Sequence, residues 1–326
     1  MPLERGMISA AAQRFQTAQR ILVVSHIRPD GDAIGSLLGL GLALEKVGKE
    51  VQMVLNDGVP APFRHLPGSE RVQTKPSGAF DLKVVLDCSD QKRVGNALNG
   101  YGKPDINIDH HVTNLLYARL NLVDPAAAAT AEILTGLLPK FGLPLDQDIA
   151  SCLLTGVVTD TLGFRTNNMT PEVLRVAAQL METGADLPDL YRRALISRSY
   201  EAARFWGAGL SRLEREGRIV WTALSQSDRD EAGYPGRDDA DLVNILSAIE
   251  EADIAIIFVE QPNLHTKVSW RSVPGVDVSQ IALEFGGGGH PSASGADVPG
   301  TLEEVIPKVL DRTQEYLEKQ KSANLA

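Results

Sequence analysis

The feature that most constrains this fold is a series of short, uninterrupted apolar runs in the first half of the chain. The runs are ILVVSH (21–26), VQMVL (51–55), KVVLD (83–87) and INID (106–109). Helical patterns separate or follow them, at 34–48, 129–142 and 148–160. Continuous apolar strands that alternate with helices are typical of a parallel sheet covered on both faces. The sequence therefore predicts an α/β fold with a parallel sheet, and places an active site at the carboxyl ends of its strands.

The pattern changes after about residue 170. Helical patterns cover 170–185, 187–197 and 199–217, and are followed by strand patterns at 218–224, 252–260 and 265–272 with a helix at 240–250. A last helical pattern covers 301–319. These patterns predict a first domain (1–185), a helical linker (186–217) and a smaller α/β domain with a mixed sheet (218–326).

Composition limits the classes of protein to which the 326-residue chain can belong. Hydrophobic residues make up 43% and charged residues 23%, as in an ordinary globular protein. No run of about 18 apolar residues occurs, so we expect no membrane span. The net charge of −10 argues against binding to long duplex nucleic acid, which requires many neutralised phosphates. The two cysteines, Cys88 and Cys152, indicate neither a disulfide framework nor a zinc site and favour the cytoplasm.

Four segments of the first half place aspartate or histidine at the end of an apolar strand or in the turn after it. The segments are SHIRPDGDAIGS (25–36), VVLDCSD (84–90), NIDHHVTN (107–114) and GVVTDTLGF (156–164). A single aspartate after a strand is more often a helix cap or a turn residue. Together, however, the segments bring eight candidate side chains to one rim of the sheet: His26, Asp30, Asp32, Asp87, Asp109, His110, His111 and Asp160.

Such a cluster predicts bound cations. Each carboxylate would raise the pKa of its neighbours, a conflict that divalent cations resolve. Imidazole and carboxylate together suit manganese, iron or zinc, and the absence of cysteine ligands favours manganese. Two ions about 3.5–4 Å apart are the usual means of stabilising the attacking and the leaving oxygen in phosphoryl displacement. We therefore expect two divalent ions, Mn²⁺, and phosphoesterase chemistry.

The four segments resemble the four motifs of the DHH phosphoesterase superfamily, and Asp109-His110-His111 matches the motif that names it. The H-x-x-x-D-x-D spacing that begins at His26 is similar as well. The resemblance implies that residues 1–185 are a DHH catalytic domain. It also implies the ligands of two ions: His26, Asp30 and Asp87 for one, and Asp32, Asp87, His110 and Asp160 for the other.

The same resemblance implies three catalytic residues. Asp87 would bridge the two ions. Asp109 would accept a hydrogen bond and orient its neighbours. His111 would face the scissile phosphate rather than a metal. Every ligand position of the family pattern is present, which argues against a non-catalytic relative that has lost its metals.

A second group of candidate residues lies where the strand HTKVSWRS (265–272) leads to GGGGHPSASG (286–295). Consecutive glycines let the backbone direct N–H groups at an anion, although glycine clusters are more often flexible turns. The segment resembles the DHH-associated domain, but has a serine where many relatives have the second of two alanines. The resemblance implies that this domain binds the nucleotide. The implied substrate-binding residues are Arg271, Ser272, Gly287, Gly288, Gly289 and His290.

The two-domain plan and segments such as GFRT (163–166) are similar to a bifunctional branch of the superfamily. That branch cuts short oligoribonucleotides to mononucleotides and converts 3′-phosphoadenosine-5′-phosphate (pAp) to AMP. The implied partners are therefore short RNA oligonucleotides or small nucleotides, and many relatives also pair as homodimers. A phosphodiesterase for c-di-AMP or pApA, a polyphosphate or pyrophosphate hydrolase, and a non-catalytic nucleotide-binding protein remain as alternatives.

Overall fold

A computed structural model describes residues 3–324 of the chain, with the side chains of residues 3–320. The chain divides between Ser197 and Arg198 into two compact units. Each unit has its own sheet and its own hydrophobic core. Within residues 3–324, no helix is both long enough and apolar enough to cross a bilayer.

The sheet of the first unit is five-stranded and parallel throughout, which confirms the predicted fold class. Its strands are β1 (Arg20–Val24), β2 (Glu50–Val54), β3 (Leu82–Leu86), β4 (Ile106–Asp109) and β5 (Leu120–Val123). The order across the sheet is β2-β1-β3-β4-β5. Strand β5 was not predicted, because LNLV is short and three of its four residues are only partly buried.

The six α-helices of this unit pack on one face of the sheet, where every second strand residue enters the larger core. The helices are α1 (Arg5–Thr17), α2 (Gly31–Lys46), α3 (Thr130–Leu137), α4 (Gln147–Asp160), α5 (Pro171–Glu182) and α6 (Leu187–Tyr191), the last followed by one π-helical turn (Arg192–Ile196). Ile21 and Val23 of β1 point into the larger core with α2 and α4. Leu22 and Val24 belong to a smaller core on the opposite face.

The second unit contains a six-stranded mixed sheet, as predicted. Its elements are α7 (Tyr200–Leu210), β6 (Glu214–Glu216), β7 (Ile219–Leu224), α8 (Gln226–Ala232), α9 (Leu242–Leu246), β8 (Ile254–Gln261), β9 (His265–Ser272), α10 (Val278–Glu284), β10 (Gly288–His290), β11 (Ala293–Pro299) and α11 (Leu302–Asn324). The strand order is β10-β11-β9-β8-β7-β6, and only β7 and β8 are parallel neighbours. Trp270 of β9 is fully buried in the core between this sheet and α11.

The predicted helix over 199–217 is wrong in its last part. Helix α7 ends at Leu210, and Glu214–Glu216 pair antiparallel with β7 as an edge strand. These three residues are exposed and charged, so they carry no apolar pattern by which a strand could be recognised. Gly217, with a φ of 59°, makes the turn into β7.

Candidate metal centre

Three strands of the parallel sheet end beside candidate side chains. β1 ends two residues before His26, β3 ends directly before Asp87, and Asp109 is the last residue of β4. Because these strands are parallel neighbours, their carboxyl ends meet at one edge, where all three side chains are buried. Asp87 has a left-handed backbone (φ 51°), and its N–H donates to the Ile108 carbonyl at 3.0 Å. This bond to β4 holds the Asp87 turn in a conformation that few non-glycine residues adopt.

Two helices supply the other carboxylates. Asp30 is the N-cap of α2, and its Oδ1 atom accepts from the backbone N–H groups of Asp32 and Ala33 at 3.1 and 3.0 Å. Asp32 follows in the first turn of α2 and is buried. Asp160 is the last residue of α4. The expectation that all four segments follow strands is therefore wrong for the fourth, because Asp160 reaches the cluster from the end of a helix that packs against α2.

A row of glycines on α2 allows α2 and α4 to pack closely. The row consists of Gly31, Gly35 and Gly39, four residues apart and so on one face of the helix. A Cβ atom at Gly35 would collide with the Cys152 carbonyl oxygen and would lie 2.9 Å from the Gly156 backbone nitrogen. The two helices therefore touch through their backbones. This contact brings Asp32 on one helix to Asp160 on the other.

The side chains form three overlapping groups that could each hold one ion. The groups are His26, Asp30 and Asp87; Asp32, His110 and Asp160; and Asp87, His110 and His111. Within each group, one donor atom per residue lies within 4.8 Å of the others. All six side chains predicted as metal ligands belong to these groups, and Asp87 and His110 each belong to two of them.

The distances between donor atoms suit ions better than direct hydrogen bonds. The His26 Nε2 atom lies 3.5 Å from Asp87 Oδ2. The His110 Nε2 atom lies 3.5 Å from Asp160 Oδ2 and 3.6 Å from Asp87 Oδ1. Hydrogen bonds between such atoms are usually about 2.7–3.2 Å long. Two ligands that each lie about 2.0–2.2 Å from one ion are roughly 3–3.5 Å apart, close to the separations seen here.

The carboxylates of the cluster have opposed pKa shifts. Burial and the neighbouring charge of Asp87 raise the pKa of Asp32 to about 7. Burial, together with Asp32 and Asp30, raises the pKa of Asp160 well above its usual range. Burial also acts to raise the pKa of Asp87, but contact with His26 and the charges of the other histidines hold it well below its usual range. As the pH falls, the metal-free cluster therefore takes up protons on Asp32 and Asp160 well before Asp87.

The histidines of the cluster are shifted towards their charged forms. Burial acts to lower the pKa of His26 and of His110, yet the carboxylates around each of them, Asp87 above all, raise it. Within the described part of the chain, no lysine or arginine forms an ion pair with Asp32, Asp87 or Asp160. Protons or cations must therefore compensate the charge, and imidazole and carboxylate donors fit divalent ions.

Thr130 contacts two of the carboxylates, although the sequence analysis did not select it. Its N–H donates to Asp32 Oδ2 at 2.7 Å, and its hydroxyl donates to Asp87 Oδ1 at 3.1 Å. Ala131 N–H donates to the other oxygen of Asp32 at 2.9 Å. Thr130 begins α3, whose own N-cap, Ala129, has no side-chain acceptor, so Asp32 caps this helix from 98 positions away. Local sequence holds no signal for a cap that comes from so far along the chain.

His111 is held differently from the other two histidines. Its Nδ1 atom lies 2.7 Å from Asp109 Oδ1, to which it donates, and 3.6 Å from Asp87 Oδ1. Binding an ion through Nδ1 would break the hydrogen bond to Asp109. The geometry therefore favours a role for His111 through Nε2, with Asp109 fixing the orientation of the ring.

In the second unit, Arg271 and Ser272 end β9 with defined partners. Arg271 Nε donates to Asn244 Oδ1 at 3.0 Å, and Nη1 donates to the Trp270 carbonyl at 3.0 Å. Burial lowers the pKa of the guanidinium. Ser272 Oγ donates to the Val276 carbonyl at 2.6 Å, so its hydroxyl supports the loop after β9.

The predicted glycine-rich turn is largely an edge strand. Gly288, Gly289 and His290 form β10, which pairs antiparallel with β11. A Cβ atom at Gly287 would collide with the Gly295 carbonyl oxygen, so close backbone contact within the hairpin explains this glycine. Gly289 has a φ of 145°, which also favours glycine. The exposed side chain of His290 lies at the end of β10.

The fold and the cluster define a two-domain α/β protein whose parallel sheet carries a carboxylate–histidine centre suited to divalent ions. Two protein-family models match the chain and identify its family. The DHH family, N-terminal domain, matches residues 20–157, and the DHHA1 domain matches residues 219–319. The chain belongs to the DHH family, which confirms the resemblance seen in its motifs.

Relatives with assigned activities cover almost the whole chain. The bifunctional oligoribonuclease and PAP phosphatase NrnA of Thermus thermophilus is 39% identical over 304 residues, which cover 91% of this chain and 90% of that protein. The protein of the same name from Bacillus subtilis is 28% identical and covers 85% and 89%. The cyclic-di-AMP phosphodiesterase PdeA of Listeria monocytogenes is 23% identical; the match covers 95% of this chain but only 50% of PdeA.

Solved structures share the fold of this chain. An exopolyphosphatase-related protein from Bacteroides fragilis has a TM-score of 0.88 and 28% identity, and the match covers 98% of both chains. RecJ from Thermus thermophilus, solved in complex with Mn²⁺, has a TM-score of 0.57 and 15% identity, with 98% of this chain and 55% of RecJ covered. At that identity, the likeness to RecJ concerns the fold alone.

Proposed function

We propose that this protein is a metal-dependent phosphoesterase that degrades short oligoribonucleotides to mononucleotides and dephosphorylates pAp to AMP. The observation that carries the proposal is the meeting of side chains from four distant segments at one sheet edge. Asp87 lies between the two proposed ion sites, with Oδ2 3.5 Å from His26 Nε2 and Oδ1 3.6 Å from His110 Nε2. The 39% identity over nine-tenths of the chain to an enzyme with both activities selects these substrates among phosphate esters.

In the proposed centre, His26, Asp30 and Asp87 hold one divalent ion, and Asp32, Asp87, His110 and Asp160 hold the other. Both ions are proposed to be Mn²⁺, because the donors are imidazole and carboxylate without cysteine. Ions bound there supply Lewis acidity towards the phosphate and lower the pKa of water.

The protein's own groups position the reacting atoms around that centre. Thr130 donates hydrogen bonds to Asp32 through its backbone N–H and to Asp87 through its hydroxyl, so one residue orients both carboxylates. Asp109 orients His111, which is proposed to donate from Nε2 to a phosphoryl oxygen and to balance the charge that develops there. In the second unit, Arg271, Ser272, Gly287, Gly288, Gly289 and His290 are proposed to bind the substrate nucleotide.

Turnover of defined substrates with Mn²⁺ tests this proposal. We expect the purified chain to release AMP from the dinucleotide pApA and inorganic phosphate from pAp, and to lose both activities when a chelator removes the metal. Long duplex RNA is the control substrate and should not be cut. If neither pApA nor pAp is hydrolysed in the presence of Mn²⁺, the proposed function is refuted.

The likeness to PdeA adds one competing substrate, c-di-AMP. The match covers only 50% of PdeA but 90% of the Thermus thermophilus NrnA. Hydrolysis of c-di-AMP is therefore less well supported than the two NrnA activities. The same assay separates the two candidates. A kcat/KM for c-di-AMP above that for pApA would favour the cyclic-dinucleotide phosphodiesterase.

A further inference from the structure

A hydrogen-bonded chain of side chains connects the centre to the loop after β4, and its middle member is Asn114. Asp109, at the end of β4, is fully buried. Its Oδ1 atom accepts from the backbone N–H groups of His110 and His111, at 2.9 and 3.3 Å, and from His111 Nδ1 at 2.7 Å. Its Oδ2 atom accepts from Asn114 Nδ2 at 2.5 Å. One carboxylate oxygen therefore orients His111, and the other is held by Asn114.

The orientation of the Asn114 amide is fixed from both sides. Its Oδ1 atom accepts from the Leu116 backbone N–H at 2.7 Å, so its Nδ2 atom must face the buried side. There Nδ2 donates to Asn107 Oδ1 at 2.8 Å as well as to Asp109. Asn107 is itself buried and donates to the Val85 carbonyl at 3.3 Å. Strand β3 thus fixes the Asn107 side chain. Asn107 in turn orients Asn114, and Asn114 holds Asp109.

We propose that Asn114 is a positioning residue that acts on His111 through Asp109. A buried carboxylate oxygen without a donor is costly, so without Asn114 the Asp109 carboxylate would rotate or recruit water. Either change disturbs the oxygen that accepts from His111 Nδ1, and the ring then loses its fixed orientation. Because buried networks stabilise a single arrangement only when every member is satisfied, one missing amide is enough for this effect.

Asn121, the second residue of β5, provides a matched control because its side chain bonds to the same loop. Its Oδ1 atom accepts from the Ala118 N–H at 3.0 Å, and its Nδ2 atom donates to the carbonyls of Leu116 and Ala118 at 3.3 and 3.0 Å. It therefore supports the loop as Asn114 does. These hydrogen bonds, however, involve only loop backbone and not Asp109. Replacing Asn121 tests loop stability without touching the chain that leads to His111.

The turnover arm of the test rests on the proposed function and uses pApA with Mn²⁺. We expect Asn114→Ala to lower kcat about 10- to 100-fold, as for other residues that orient a site residue, with KM within about threefold of the wild type. Asn121→Ala should keep kcat within about threefold. In a His111→Ala background, Asn114→Ala should cause almost no further loss. An equal loss of kcat in both backgrounds, or a normal kcat for Asn114→Ala, would overturn the proposal.

A spectroscopic arm does not depend on activity. In the metal-free protein, the His111 Nδ1 proton should give a downfield, slowly exchanging NMR signal, identified by its absence in His111→Ala. Asn114→Ala should lose this signal and Asn121→Ala should keep it. Persistence of the signal in Asn114→Ala contradicts the proposal even if pApA proves not to be a substrate. If Asn114→Ala does not fold, Asn114→Leu, which keeps a similar volume but has no donor for Asp109, is measured in both arms with the same expectations.

Discussion

At the scale of single residues, the carboxylates of the centre compete for protons as long as no cation is present. The raised pKa of Asp32, about 7, means that the folded state retains a proton that the unfolded chain loses near pH 4. The contrast with Asp87, whose pKa is held low, gives the two neighbours different charges. If Asp32 binds metal as proposed, the ion must displace this proton, and metal affinity then depends on pH.

The stability of the metal-free protein should therefore fall as the pH rises. The contribution of Asp32 is fully present below the usual aspartate pKa of about 4 and is lost as the pH rises to about 7. The pKa values of His26 and His110 are also raised, so stability falls further as the pH rises above the usual histidine pKa. The low pKa of Asp87 affects stability only at acidic pH, where the stabilisation by the ionised Asp87 is lost as the pH falls.

Melting temperatures measured with and without excess MnCl₂ test this linkage. We expect Mn²⁺ to raise the Tm by several degrees more at about pH 8 than at about pH 6, because ions replace protons that are already lost at the higher pH. Mg²⁺ and Ca²⁺ serve as comparison ions that prefer oxygen ligands. An identical gain at both pH values would show that Asp32 does not release a proton to the metal.

At the scale of secondary-structure elements, the centre depends on the close contact of α2 and α4. Gly35→Ala places a Cβ atom against the Cys152 carbonyl oxygen, so the helices must separate. We expect a loss of about 1–3 kcal/mol in the free energy of unfolding, the usual result of overpacking, and weaker Mn²⁺ binding. Chemical denaturation and a Mn²⁺ titration measure both effects.

Gly136→Ala in α3 is the matched control. No atom lies within 4 Å of a Cβ atom at this helical position, so the change should be neutral or stabilising by up to about 1 kcal/mol. Equal stability and equal metal affinity of the Gly35→Ala and Gly136→Ala proteins would contradict the role assigned to the glycine row.

The elements also show what could be predicted from sequence. Long apolar or amphipathic patterns predicted β1 to β4 and α2 to α5, and the motifs predicted which side chains meet at the sheet edge. The exposed β6 and the glycine strand β10 lack such patterns, because backbone pairing rather than side-chain burial defines them. Thr130 and Asn114 could not be selected, since their roles depend on hydrogen bonds that exist only once the strands and α3 are assembled.

At the scale of the whole molecule, the acidic charge and the pairing of surface arginines agree with small substrates. Arg192 and Arg193 both pair with Asp189, and Arg218 pairs with Asp253. Arginines neutralised in this way contribute little to binding a long phosphate backbone. That the chain does not bind long duplexes stays a prediction, and so does the homodimer.

The proposed activity depends above all on Asp87 serving two bound ions at once. Equilibrium binding of Mn²⁺ to Asp87→Asn tests it most directly, with Asp148→Asn, an exposed carboxylate on the same helix as Asp160, as the control. We predict that the wild type and Asp148→Asn each bind two ions, whereas Asp87→Asn stays folded but binds both at least about 10- to 100-fold more weakly. Two ions bound to Asp87→Asn with wild-type affinity would contradict the account.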